Sequence, residues 1–280
     1  MTDSAELYLD LLKRSLLNIP YLDNEIRISF LRRYLTESTR RGEVRSLPEG
    51  MIHHIEDIPD AQDEMRGARL LSADGRKPRS MAHAMMGRLR LDNIQACLET
   101  IIAEDISGDF LEAGIWKGAG PILMRGFLKA HGITGRTIWA ADSFQGVPPS
   151  HLPQDFGVDL TASAYPWISV SLGRVQSLME RYGLLDDTTR FLPGWFKDTL
   201  GNPAIGELSL LRLDGDLYES TMDTLEPLYD RVTPGGFIIC DDYGAIGACR
   251  EAVDEFRAKR GVTDPIIEID WTGVYWRKSK

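Results

Sequence analysis

Two short acidic stretches hold the residues best suited to chemistry: Leu213-Asp214-Gly215-Asp216-Leu217-Tyr218-Glu219 and Cys240-Asp241-Asp242-Tyr243. Each follows an apolar run of strand type, Leu208 to Leu213 and Gly236 to Cys240. If these strands lie side by side in a parallel sheet, both ends open onto one face and four carboxylates converge there. Clustered like charges raise one another's pKa and disfavour folding unless something neutralises them. A hard divalent cation does so through oxygen ligands: Mg²⁺ typically takes a few carboxylates and keeps waters, and Ca²⁺ or Mn²⁺ accept the same ligand types. Unrelated helix caps are the competing reading. A metal beside a hydroxyl lowers its pKa and orients it, and a neighbouring carboxylate can then take the proton.

A second candidate site follows the run Phe110-Leu111-Glu112-Ala113. There a strand feeds a glycine-rich turn with Gly114, Gly118 and Gly120. Ligands of open α/β sheets bind at the carboxyl ends of strands, and glycine lets backbone approach a ligand closely. The spacing is not G-x-G-x-x-G, the pattern that offers a helix N-terminus to a pyrophosphate. The acid at the strand end instead suits a cationic cofactor. S-adenosylmethionine, with a sulfonium and an ammonium and no phosphate, fits, with Glu112 in the network around the ammonium. A tight structural turn is the alternative. Asp142, closing the run Thr137 to Ala141, suits the ribose hydroxyls or a helix N-cap. Pro193-Gly194-Trp195-Phe196, after a strand over Arg190 to Leu192, is placed to flank adenine or simply to pack.

These residues need a scaffold. Residues 5–42 read as helical, with Leu7, Leu11, Leu12, Leu16, Ile28, Leu31 and Leu35 near helical spacing. Residues 43–80 read as an irregular connector, with His53 and His54 in a loop. A helix is expected from Leu89 to about Glu104. Strands then alternate with helices over Ile122 to Ala130, Thr221 to Tyr229 and Gly247 to Lys259. Ile266 to Ile269 and Val274 to Arg277 read as a closing hairpin. The alternation implies βαβ units, a mainly parallel sheet and an α/β fold. Residues 146–187, rich in proline and aromatics (Tyr165, Pro166, Trp167), interrupt the rhythm and read as a lid. The division expected is 1–80 as helical extension and connector, and 81–280 as the ligand-binding domain.

Composition narrows the class. The chain has 280 residues and a formal net charge of −10, a balance that repels a phosphate backbone and argues against nucleic acid. The cluster Arg32, Arg33, Arg40, Arg41 and Arg45 reads as a solvated helix end. Cys97, Cys240 and Cys249 show no metal-ligand spacing and suit a reducing compartment. No apolar run reaches the ~20 residues of a membrane span, and the acidic start lacks a signal-peptide pattern. A cytoplasmic location is expected.

Together, five stretches and the tail resemble the macrocin O-methyltransferase family, TylF/MycF-type enzymes that methylate sugar hydroxyls on antibiotics. They are Arg88-Leu89-Arg90-Leu91-Asp92-Asn93, Gly108-Asp109-Phe110-Leu111-Glu112-Ala113-Gly114-Ile115-Trp116-Lys117-Gly118, Ala141-Asp142-Ser143-Phe144-Gln145-Gly146-Val147-Pro148, Leu213-Asp214-Gly215-Asp216-Leu217-Tyr218-Glu219-Ser220-Thr221 and Asp241-Asp242-Tyr243-Gly244, with Asp264-Pro265 to Lys278. The resemblance covers most of the chain from about residue 80. It implies a class I methyltransferase (Rossmann-like) fold with an antiparallel edge strand, S-adenosylmethionine and Mg²⁺, a glycoside acceptor and a homo-oligomer. By position, Glu112, Gly114 and Asp142 would hold the cofactor, with Met85 and Met86 near it; Gly118, Ser143, Gly194, Trp195 and Phe196 complete the candidate set. Asp214, Asp241 and Asp242 would hold the metal. The layout is similar to catechol O-methyltransferases, where a lysine just after the first metal ligand is the base. Leu217 stands there in this chain, so Asp216 is the preferred base and Asp214 the second. Gly201-Asn202 departs from the Leu-Pro expected of the family. A catechol or phenol acceptor, a non-catalytic binding module and a dinucleotide oxidoreductase are the competing functions.

Overall fold

The computed structural model describes residues 3–29, 31, 73, 74 and 81–279. It divides into two units, Met1–Leu9 with Leu89–Lys280, and Asp10–Arg88. The larger holds one seven-stranded sheet: β1 (Asp109–Ala113), β2 (Ile138–Asp142), β3 (Thr189–Pro193), β4 (Leu208–Leu213), β5 (Val232–Cys240), β6 (Ile267–Glu268) and β7 (Val274–Arg277). Their order is β3-β2-β1-β4-β5-β7-β6. The first five strands pair in parallel. β7 joins β5 antiparallel, and β6 joins β7 antiparallel. The central strands are short apolar runs because both faces are covered: Leu208–Leu213 is buried at every position. One face packs Leu111, Leu211, Leu213, Ile238, Phe256 and Trp276 into a single cluster.

The helices of this unit, with α1 (Ser4–Leu16) first in the chain, are α2 (Arg88–Ala103), α3 (Ala119–Ala130), α4 (Leu172–Arg181), α5 (Phe196–Thr199), α6 (Tyr218–Leu228) and α7 (Gly247–Arg260). α7 ends with Arg257, Lys259 and Arg260 against its negative dipole end, and Gly261 closes it in the left-handed region at φ 65°. α4 lies inside the 146–187 insertion, which the sequence reading left without a helix. Ser171 caps it by accepting from the Arg174 N–H, and Val175, Leu178 and Met179 are its buried face. α6 starts at Tyr218, a turn earlier than its periodicity suggested.

In the Asp10–Arg88 unit the expected helical stretch is broken. Asn18 takes a left-handed φ of 56°, a 3₁₀ turn spans Ile19–Tyr21, and helix resumes over 22–29. Glu25 is buried and accepts from Asn18 Nδ2 at 2.8 Å and from the Met81 N–H at 2.7 Å. The later part of the helical reading, and the 43–80 connector with His53 and His54 apart from residues 73 and 74, lie outside the described residues. Among the described residues no helix is long and apolar enough to cross a membrane.

Candidate active site

The chain runs from β1 outward to β2 and β3, then returns to place β4 and β5 on the other side of β1. The switch point therefore falls between β1 and β4, where open α/β sheets bind ligands. The register levels the strand ends there. Ala113 pairs with Ala141 and with Leu213, Leu213 pairs with Cys240, and Asp142 pairs with Pro193. Glu112, Asp142, Asp214 and Asp241 thus emerge along one edge.

Arg212 holds this edge together. It points from β4 into the protein with 0% exposure. One guanidinium nitrogen donates to Glu112; another donates to Asp241 and to Asp214 Oδ2, the latter at 3.1 Å. Arg90 of α2 donates to the other oxygen of Asp241 and, through Nε at 3.0 Å, to Asp270. Burial alone would raise the Asp241 carboxyl, but Arg212 and Arg90 outweigh it and hold that group below its usual range. Burial pushes Glu112 up to about 7 against the pull of Arg212. Burial and then the charge of Asp241 push Asp214 up to about 6. Burial followed by Asp214 and Asp241 pushes Asp216 to about 7. Asp242 is driven well above the carboxylate range by burial and then by Asp216 and Asp214.

The convergence expected from the two acidic stretches is present. Among the described residues, Asp214, Asp241 and Asp242 form a potential metal group, with one oxygen from each within 4.8 Å of the others. Asp216 is not part of that trio, but its N–H donates to Asp242 Oδ2 at 3.1 Å. Part of the neutralising charge comes from the protein itself, through Arg212 and Arg90. They do not supply all of it: Glu112, Asp214, Asp216, Asp241, Asp242 and Asp270 outnumber them. This hard oxygen donor set with residual negative charge fits a divalent cation.

The glycine turn fits a close ligand approach. Gly114 has φ 90°, and a Cβ there would overlap the Asp214 carbonyl oxygen. Glu112 is 1% exposed. Its second carboxylate oxygen lacks a hydrogen-bond partner and packs on Gly120, where a Cβ would overlap it. Asp142 is neither a helix cap nor fully open to a ribose. Its Oδ2 accepts from the Ile115 and Trp116 N–H groups at 3.0 and 3.1 Å, and its Oδ1 from the Phe144 N–H at 2.7 Å. Trp116, Phe144 and Asp216, at three strand ends, all have left-handed φ values of 49°, 57° and 60°. Non-glycine residues hold such strain where the surroundings over-determine them, and they cluster at functional sites.

The remaining candidates divide. Gly118 (φ 85°) starts α3, with Val175 of α4 against its Cα. Ser143 braces the turn after β2, donating to the Gly146 carbonyl at 2.7 Å. Gly194 (φ 141°) donates its N–H to the Asp142 carbonyl at 3.0 Å. Trp195 is half-buried at the start of α5. Phe196 packs on the core cluster with its ring beside Gly215. Met85 and Met86 fall in the Asp10–Arg88 unit. Sequence reasoning missed Arg212, Arg90 and Asp155. Arg212 did leave a signal: a charge inside the apolar run Leu208-Ser209-Leu210-Leu211-Arg212-Leu213 must have a buried partner.

The chain is similar to known proteins over nearly its whole length. The chain is 45% identical over 278 residues to the 8-demethyl-8-(2,3-dimethoxy-alpha-L-rhamnosyl)-tetracenomycin-C 4'-O-methyltransferase of Streptomyces olivaceus, covering 98% of this chain and 94% of the relative. It is 42% identical over 280 residues to the mycinamicin III 3''-O-methyltransferase of Micromonospora griseorubida, covering 98% and 97%. Its fold matches the solved O-methyltransferase NovP with a TM-score of 0.79 at 38% identity, over 99% of this chain and 100% of that one. The class I methyltransferase architecture with an antiparallel edge is therefore the one present. The macrocin O-methyltransferase (TylF) family matches across residues 5–278, and the chain belongs to that family.

Proposed function

We propose that this protein transfers the methyl group of S-adenosylmethionine to a sugar hydroxyl of a natural-product glycoside, with a divalent cation at Asp214, Asp241 and Asp242. The observation that carries the reading is the meeting of those three carboxylates beside the Gly114 turn at the switch point of the sheet. When bound, the cation supplies acidification of a hydroxyl and the cofactor supplies an electrophilic methyl group. The chain supplies position and charge. Asp142 fixes the turn after β1, and Glu112 with the neighbouring acids makes the edge attractive to a sulfonium and an ammonium. Arg212 and Arg90 keep Asp241 ionised as a ligand. Asp216, two residues beyond Asp214 and held by Asp242 through its backbone, is the proposed base, with Asp214 second. The insertion at 146–187 serves as the lid over the acceptor: its Trp167 carbonyl accepts from Trp116 Nε1 at 3.2 Å, tying it to the cofactor turn. The relatives that act on glycosides support a sugar acceptor. A homo-oligomer is part of the reading; Leu7 and Leu11, exposed on α1, offer apolar surface for a second copy.

The test is calorimetric titration with S-adenosylhomocysteine, with and without Mg²⁺, on the wild type and on Asp241→Ala/Asp242→Ala. Turnover assays then offer mycinamicin III and a catechol as acceptors. Cofactor binding, with Mg²⁺ binding lost in the variant and methylation of the glycoside, supports the reading. Catechol methylation would replace the acceptor class, and no cofactor binding to the folded protein would overturn the enzyme reading.

A further inference from the structure

We infer that Asp155 is a positioning residue for the acidic loop: its carboxylate, carried by the insertion, caps α6 at Tyr218 and Glu219, the residues that directly follow Asp214–Leu217. The inference deepens the methyltransferase reading and rests on it for its consequence in turnover.

The attachment is made by charge. Asp155 closes the helical turn Pro153–Asp155 and is 3% exposed. Its Oδ1 accepts from the Tyr218 N–H at 2.7 Å and its Oδ2 from the Glu219 N–H at 3.2 Å, across 63 and 64 residues of chain. The first N–H groups of a helix have no intrahelical acceptor and form its positive end. α6 has no local remedy, since its N-cap position is Leu217, whose side chain accepts nothing. Apolar burial does not hold the turn down, because Leu152 is 38% and Phe156 93% exposed.

The capped residues follow the acidic loop directly. Asp216 is held at φ 60°, its N–H donates to Asp242, and the Leu217 N–H donates to the Gly215 carbonyl at 2.6 Å. One end of the loop is therefore anchored by β4 and the other by a carboxylate from the insertion. Movement of the insertion away from α6 releases the Tyr218 end of the loop, and ordering of the loop by a cation favours the docked insertion. Such coupling is reciprocal.

The experiment is limited chymotrypsin digestion of the full-length folded protein, with and without Mg²⁺, scoring cleavage after Phe156 and Trp167. Cleavage tracks the population of the opened segment when opening is fast. Asp155→Ala is expected to raise the cleavage rate roughly five- to tenfold, the factor that matches loss of one helix cap. In the wild type Mg²⁺ slows cleavage; in Asp155→Ala it does not, although the metal still binds. A cap with only a structural role would leave the Mg²⁺ effect unchanged in the variant. Asp155→Asn, which keeps an oxygen for the Tyr218 N–H, recovers part of the protection and carries the test if the alanine variant does not fold. A wild-type cleavage rate in the variants, or equal slowing by Mg²⁺ in both proteins, overturns the inference. Calorimetry with Mg²⁺ alone on the same samples distinguishes failure of the metal site from failure of the Asp155 tie.

Discussion

Replacing Arg212 with methionine keeps an unbranched chain and removes the charge that organises the site. The cost follows from what each carboxylate retains. Asp241 keeps Arg90. Asp214, with 28% of its side chain exposed, can recover water. Glu112 loses its guanidinium partner while remaining enclosed. The loss is therefore that of one broken buried pair, about 3–5 kcal/mol, which is large against a typical total of ~5–15 kcal/mol. Equilibrium urea unfolding by far-ultraviolet circular dichroism, in chelator at pH 8 and pH 6, measures it. The pH sign is set by Glu112. Burial already holds its folded pKa at about 7, above the usual 4.5. A raised folded pKa means stability present at low pH is lost as pH rises through the folded value. Without Arg212 that loss extends to higher pH and grows, so the variant should be most deficient at pH 8 and less so at pH 6. A deficit under ~1 kcal/mol at pH 8, or one that widens as pH falls, would refute the role given to Arg212.

Other perturbations follow from the same contacts. Gly120→Ala places a methyl on the Glu112 carboxylate and should cost about 1–3 kcal/mol by overpacking, whereas Gly173→Ala, with open space around it in α4, should stabilise by about 0.4–1 kcal/mol; thermal melts that rank the two the other way contradict the packing. Asp142→Ala strips the acceptor from three backbone N–H groups and should weaken S-adenosylhomocysteine binding about 100-fold or more, ~2.7 kcal/mol, by calorimetry; unchanged affinity would remove Asp142 from the cofactor site. Cys97, Cys240 and Cys249 are all buried, and burial pushes the Cys97 thiol up to about 12, so a disulfide reagent at pH 8 should label none of the three in the native protein and all three in guanidinium. Prompt labelling of the native protein would show an opening absent from this structure.

Strands buried on both faces were the most legible elements, because an apolar run bounded by glycine and charge has few other uses. Leu208–Leu213, buried throughout, falls where the sequence places it. The meeting of Asp214, Asp241 and Asp242 was legible too, since parallel neighbours open to one face. What escaped depends on partners distant in sequence. α6 begins at Tyr218 because Asp155 caps it from the insertion, and no local pattern announces such a cap. α4 was hidden by the prolines and aromatics that precede it, although Val175, Leu178 and Met179 carried a helical period. Asp142 has the expected position, but most of its acceptor capacity goes to the backbone of the neighbouring turn.

The Arg212 tie also bears on the order in which the chain assembles. Arg212 meets Glu112 across 100 residues, and Arg90 meets Asp241 and Asp270 across 151 and 180. Closing loops of that length costs entropy before the contacts reward it. During synthesis, Glu112 emerges well before its guanidinium exists, so burying it in ionised form is unfavourable until β4 is made. Glu112 thereby acts as a checkpoint in assembly, favouring joint closure of the two halves of the sheet. Pulse-labelled hydrogen exchange during refolding should show the amides of β1, β4 and β5 gaining protection in one shared phase, and early protection of β1 alone would refute this order.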